Sequence, residues 1–210
     1  MRRFTYRLER IFSRIAVSNL MPIIIGAMVI VSVAGTMYPE LYALLSFDRG
    51  MILRGQVWRV VTFLFVHGGS LIETALFAYF YWWIGSSLED AWGTGRFCTY
   101  YYAGVILTVI AGFITGASTN MFLNLSLFFA FAMLYPEQEI LLFFVIPVKV
   151  KWLAWIDAAM FVFYFIFNGW AGRAAILAAV LTLVLFFWDD IVRRVRFFIQ
   201  DMKFRGNRYN

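Results

Sequence analysis

Two residue types in this chain could together support nucleophilic chemistry. Ser118 stands where Gly116-Ala117-Ser118 opens an apolar segment, and His67 is the single histidine of the 210 residues. A serine hydroxyl attacks a carbonyl only when a neighbouring base takes its proton and nearby donors receive the oxyanion. A Ser118–His67 pair is one arrangement these residues allow, whereas Ser126 has no base candidate at its depth. The plainer reading makes Ser118 a helix cap, because Ser-Thr-Asn ahead of an apolar run is an ordinary helix start. His67 then satisfies loop carbonyls at an interface. Asn120 and Asn124, four residues apart, share a helix face, with Ser126 on the same helix at a different angle. Such a polar strip needs partners, either other helices of a bundle or the polar part of an incoming helix. With one cysteine, Cys98, and one histidine, no Cys/His metal cluster can be assembled, and neither metal nor cofactor is expected.

The elements that carry these residues belong to a membrane. Hydrophobic residues make up 63% of the chain and charged residues 14%, with a mean hydropathy of +0.78, well outside the range of soluble domains. The length suits about six spans of roughly 20 residues with short loops. We place them near residues 16–37, 69–86, 97–115, 119–135, 152–167 and 172–188. This predicts an all-α bundle over 17–188, between a basic amphipathic segment at 1–16 and a basic tail at 189–210. A cleaved signal peptide is the rival reading of the N-terminus, because Ser32-Val33-Ala34 has a small-x-small pattern. The run from 16 to 37, however, is longer than a signal core of roughly 7–15 residues.

Most basic residues fall on the side of both termini, while Arg49, Arg54, Arg59 and Arg173 fall opposite. The positive-inside rule then puts both termini in the cytoplasm, in a bacterial plasma membrane or an endoplasmic reticulum membrane. The charges are accounted for by topology, which removes any need for a nucleic-acid partner. The long first loop, residues 38–66, carries Leu41, Leu44, Leu45, Met51, Ile52, Leu53, Trp58 and Phe63 as apolar surface to lay into the outer leaflet. The run Ile140–Pro147 is too short to span, and we expect it to lie at the cytoplasmic interface or to extend a helix end. Asp157 falls inside the fifth span and is a functional-site hypothesis by default. A structural interfacial cluster with Lys149 and Lys151 is the plainer assignment.

The stretches GQVWRVVTFLFVH (55–67), GSSLEDAWGTGRF (85–97) and PEQEILLFFVIPVKVKWLAWID (136–157) resemble the rhomboid superfamily of intramembrane proteins. Trp58, Arg59 and His67, then Gly85, Glu89 and Gly93 at four-residue intervals, carry the likeness. It implies a six-helix bundle with an interfacial first loop, in which Arg59 anchors that loop and Glu89 accepts hydrogen bonds at the other end. Active rhomboids have a Gly-x-Ser-Gly motif in the fourth span and a histidine base in the sixth. Here the resemblance puts Met121 at the nucleophile position, three residues past Ser118, with Ile176 near the base and Phe77 near the oxyanion asparagine. Glu73 falls near a second histidine.

Loss of nucleophile, base and oxyanion donor together implies a pseudoprotease, akin to derlins and inactive rhomboids. Its partners would be the bilayer and the transmembrane helices of client proteins, met by the strip of Asn120, Asn124 and Ser126, in quality control or trafficking. An active serine protease with a displaced Ser118/His67 site is the alternative. A solute or lipid mover is third, since the repeated halves typical of transporters are missing from the sequence.

Overall fold

The computed structural model describes residue 12, residues 16–142 and residues 146–187. The basic tail, and all of the N-terminal segment except residues 12 and 16, lie outside the described residues. Helix α1, Leu20–Met37, begins after Asn19, which takes a left-handed conformation (φ 57°), and buries Met21, Ile24, Ile25, Met28, Ser32 and Gly35. That spacing of three and four defines one face, and Ile23, Ile30, Val33 and Met37 remain exposed, as a lipid-facing stripe requires.

The first loop folds into three short helices rather than one amphipathic element: α2, Glu40–Leu45; α3, Arg49–Leu53; and α4, Arg59–Thr62. Strand β1, Phe47–Asp48, lies between α2 and α3. Of the apolar residues expected to lie in the leaflet, Ile52 and Phe63 are instead buried, while Leu44, Leu53 and Trp58 are exposed. The loop is joined to the bundle core, because Phe47 packs edge-on against Phe63 and against Phe113 of a later helix.

Helix α5, Leu71–Trp92, opens with a reciprocal cap in which the Ser70 hydroxyl accepts from Glu73 N–H and the Glu73 carboxylate accepts from Ser70 N–H. It runs antiparallel to α1. Gly85 lies against the Met21 side chain at one end, and the Thr74 hydroxyl donates to that of Ser32 at 3.4 Å nearer the other. Gly93, at φ 79°, ends α5 and reverses the chain into α6, Thr94–Thr115. Gly116 terminates α6 in the left-handed region, where a Cβ is disfavoured. Strand β2, Ala117–Ser118, follows, and then α7, Met121–Leu134.

Helix α7 is the centre of the molecule. Nine of its 14 residues are buried, all round its circumference, as for a helix with neighbours on every side. Phe128 and Phe131 stack on Phe80 and Trp83 of α5, and the Tyr100 hydroxyl of α6 donates to the Ser126 carbonyl. At about 21 Å it is shorter than a hydrocarbon core of about 30 Å.

After α7 the chain forms an antiparallel pair, β3, Glu139–Leu142, with β4, Ile146–Lys149. The described residues of the apolar run, 140–142 and 146–147, thus lie in a strand pair and do not extend a helix. Helix α8, Val150–Phe167, and α9, Trp170–Phe187, complete the described chain. The helices α1, α6, α8 and α9 are long and apolar enough to cross a membrane. Helix α5 is as long as α6 but carries Glu73, Glu89 and Asp90 towards its ends, and α7 is short because it lies inside the bundle. The chain is an all-α integral membrane bundle.

Candidate functional site

Ser118 does not cap the fourth span. Its backbone pairs with Phe47 of β1 across a two-residue antiparallel ladder, with Ala117 opposite Asp48, and its hydroxyl donates to the Thr108 carbonyl at 3.1 Å. The cap is shared by its neighbours: Asn120 is the residue before α7, and the Thr119 hydroxyl accepts from Met121 N–H at 3.3 Å. A carbonyl cannot take up the serine proton, so this contact positions the first loop and activates nothing. Gly112 makes room for it, because a side chain there would overlap Phe47 and the Ser118 Cβ.

His67 lies half-buried between the first loop and α5. Its ring stacks on Phe77 with centroids 4.3 Å apart, and Phe77 stacks in turn on Tyr81 at 4.2 Å. Burial holds the imidazole below its ordinary value, and the Glu73 carboxylate partly offsets this. No hydrogen bond joins His67 to Ser118 among the described residues. Ser126 is buried on α7 and donates to the Leu123 carbonyl at 2.7 Å.

Met121 is 47% exposed, while Ile176 is 3% exposed in a cluster with Phe122, Phe161, Ala175 and Ala179. This cluster was not visible in the sequence, since Phe122 and Phe161 belong to stretches rich in aromatics that have no contrast from which to pick a facing residue. On α9, Ala175, Ala178, Ala179 and Thr182 are buried, and Gly104 of α6 lies against Leu123 and Thr182.

The two asparagines behave differently. Asn120 donates from Nδ2 to the Leu64 carbonyl at 2.7 Å and to that of Val66 at 3.2 Å, fixing the segment that leads to His67. Asn124 is 6% exposed, and its side chain makes no hydrogen bond among the described residues. It lies one turn before Phe128 on the α5-facing side.

Arg59 is buried under the first loop, donating from Nε to Gln56 and from one terminal nitrogen to the carbonyls of Ala43 (2.6 Å) and Ser46 (2.8 Å). It ties α2 and the residue that ends it to α4. Trp58 precedes α4 and is exposed. At the opposite end, Glu89 accepts from the Asn19 N–H at 3.1 Å and the Thr94 hydroxyl at 2.8 Å, linking the start of α1 to the α5–α6 turn. Gly85, Glu89 and Gly93 thus act at one helix end, as close approach, acceptor and reversal.

Lys149 and Lys151 do not cluster with Asp157. Both pair with Glu137, at 2.9 and 2.7 Å. These contacts hold the Glu137 carboxyl down at about 2 and raise the Lys149 amine. Asp157 stands apart inside α8, within electrostatic reach of the buried Tyr81, a neighbour that nothing in the aromatic run from 77 to 83 singled out.

A family model described as the Rhomboid domain matches residues 54–189, well over half of the chain. A search of curated proteins finds no match. The match begins beside Arg59 and takes in the α5–α6 turn, the central helix and all of α9, and on that breadth the chain belongs to the rhomboid family.

Proposed function

We propose that this rhomboid-family protein is a noncatalytic, derlin-like member that binds transmembrane helices of client proteins in quality control or trafficking. The observation that carries the reading is the environment of Ile176. Ile176, which the family resemblance puts near the general base, lies inside an apolar cluster with Phe122 and Phe161. Proton transfer needs a base within hydrogen-bond reach of the nucleophile. The Ser118 and Ser126 hydroxyls both donate to backbone carbonyls instead. His67 is stacked on Phe77, the residue that the family resemblance puts near the oxyanion asparagine.

Both termini face the cytoplasm in this proposal, in a bacterial plasma membrane or an endoplasmic reticulum membrane. Of the strip expected on α7, the Asn120 and Ser126 side chains are taken by backbone carbonyls, and Asn124, buried and without a side-chain hydrogen bond among the described residues, is the part left for a client in this proposal. The test is labelling of the purified protein with a fluorophosphonate, beside an active rhomboid as control and Ser118→Ala, Ser126→Ala and His67→Ala variants. Absence of labelling with a reactive control is the expected outcome. Labelling abolished by Ser118→Ala and by His67→Ala would overturn the proposal in favour of a displaced serine dyad. Photo-crosslinking from position 124 to a single-span helix tests the binding half.

A further inference from the structure

Helix α8 is unlike its neighbours. Only 11% of its residues are buried, against 39% of α1 and of α9. Trp152, Trp155, Ile156, Met160, Phe163 and Ile166 form an exposed apolar stripe at helical spacing. On its inner side it meets the bundle chiefly through Phe161, which packs on Phe122 and Phe129 of α7.

Asp157 lies at the border of that stripe. It is about 10 Å along the axis from Val150 and about 15 Å from Phe167, close to mid-span, and partly exposed. Among the described residues it makes no hydrogen bond or ion pair, because the two lysines at the start of β4–α8 are taken by Glu137. Its one electrostatic neighbour, Tyr81, is itself acidic and supplies no positive charge. A carboxylate at mid-span is costly unless paired, and intramembrane acids face a bundle interior or a partner. Among the described residues the inner side offers no cation, and the outer side is a long apolar stripe suited to a second helix.

We propose that Asp157 is a charge-reading site, taking a transmembrane helix that carries a lysine or arginine near mid-span. The apolar stripe supplies contact along both helices. The carboxylate supplies selectivity, since a client with an unpaired cation in hydrocarbon gains most from it. This inference rests on the client-binding reading and names the feature of the client that is recognised.

The experiment reconstitutes the full chain in phosphatidylcholine vesicles with a fluorescent single-span poly-Leu/Ala helix carrying either lysine or leucine at its centre. Association is read by energy transfer from a donor on the protein. The lysine helix should associate roughly tenfold more tightly than the leucine helix, with the preference lost in Asp157→Asn and kept in Asp157→Glu. Equal association of the two helices with the wild-type protein would overturn the inference while leaving client binding intact. So would a lysine preference that survives in Asp157→Asn. Association of neither helix would overturn the client-binding reading itself. Asp157→Lys with an aspartate-bearing helix gives a control independent of any loss of fold, and failure of this swapped pair to associate counts against the site.

Discussion

The side-chain amide of Asn120 donates to the Leu64 carbonyl at 2.7 Å, fastening the end of the first loop to the start of the central helix. Replacing it by alanine leaves the carbonyls of Leu64 and Val66 without that donor, and about 1–3 kcal/mol of stability should be lost. Asn124→Ala removes no such bond and should cost less, although the two residues share a helix face. Unfolding of both variants in mixed detergent micelles checks the contrast, and equal losses would contradict it.

Arg59 makes a sharper case, because one guanidinium serves three acceptors under the first loop. Arg59→Ala should destabilise by about 3 kcal/mol or more. Arg59→Lys should recover only a small part, since an ammonium lacks the fork that reaches separated acceptors. Proteolysis of the first loop offers a direct readout: wild-type-like resistance in Arg59→Lys would rule out the fork argument.

At the other end, Gly85 sits where any Cβ would overlap the Met21 side chain. Gly85→Val should cost about 1–3 kcal/mol through overpacking, and Met21→Ala should relieve part of that loss. A double-mutant cycle of thermal unfolding measures the coupling, and strictly additive effects would show that the contact is not the cause.

Two groups outside the spans give pH dependence of defined sign. The His67 imidazole is held below its ordinary 6.5 by burial, so its contribution is complete above 6.5 and is lost as pH falls through the lowered value. His67→Phe should remove that acid sensitivity while keeping the stack on Phe77. Glu137 is held at about 2 against an ordinary 4.5, so its pairing with Lys149 and Lys151 persists through mild acid and fails only as pH approaches 2. Its carboxyl chemical shift, followed by carbon NMR, reports the midpoint, and a midpoint near 4.5 would mean the ion pairs do not form in solution.

The helices were legible because long apolar runs and their glycine stops carry their own signal: Gly93 and Gly116 end helices where the chain must turn through positive φ. The two-residue ladder of Phe47 and Ser118 was not, since so short a pairing leaves no alternation, and Ser118 therefore read as a cap. The run from Ile140 to Pro147 failed for a related reason. Uniformly apolar residues fit strand and helix alike, and what selects the strand is Val150 reaching back to Gln138. The scaffold role of Arg59 was suggested by family resemblance, whereas its three acceptors could only come from three dimensions. Asp157 was drawn towards Lys149 and Lys151 by proximity in sequence, but Glu137, across the turn, takes both.

That turn has a further consequence for distance along the membrane normal. Val150 N–H donates to the Gln138 carbonyl at 2.8 Å and Lys151 N–H to that of Pro136 at 3.1 Å, while Glu137 grips both lysines. The first turn of α8 is therefore indexed against the residues that follow the central helix, and this junction works as a ruler that sets the level and azimuth of the residues beyond it. One residue inserted between Val150 and Asp157 would advance the carboxylate by about 1.5 Å and swing it by about 100°, away from the edge of the stripe and into the partly buried place now held by Ala158.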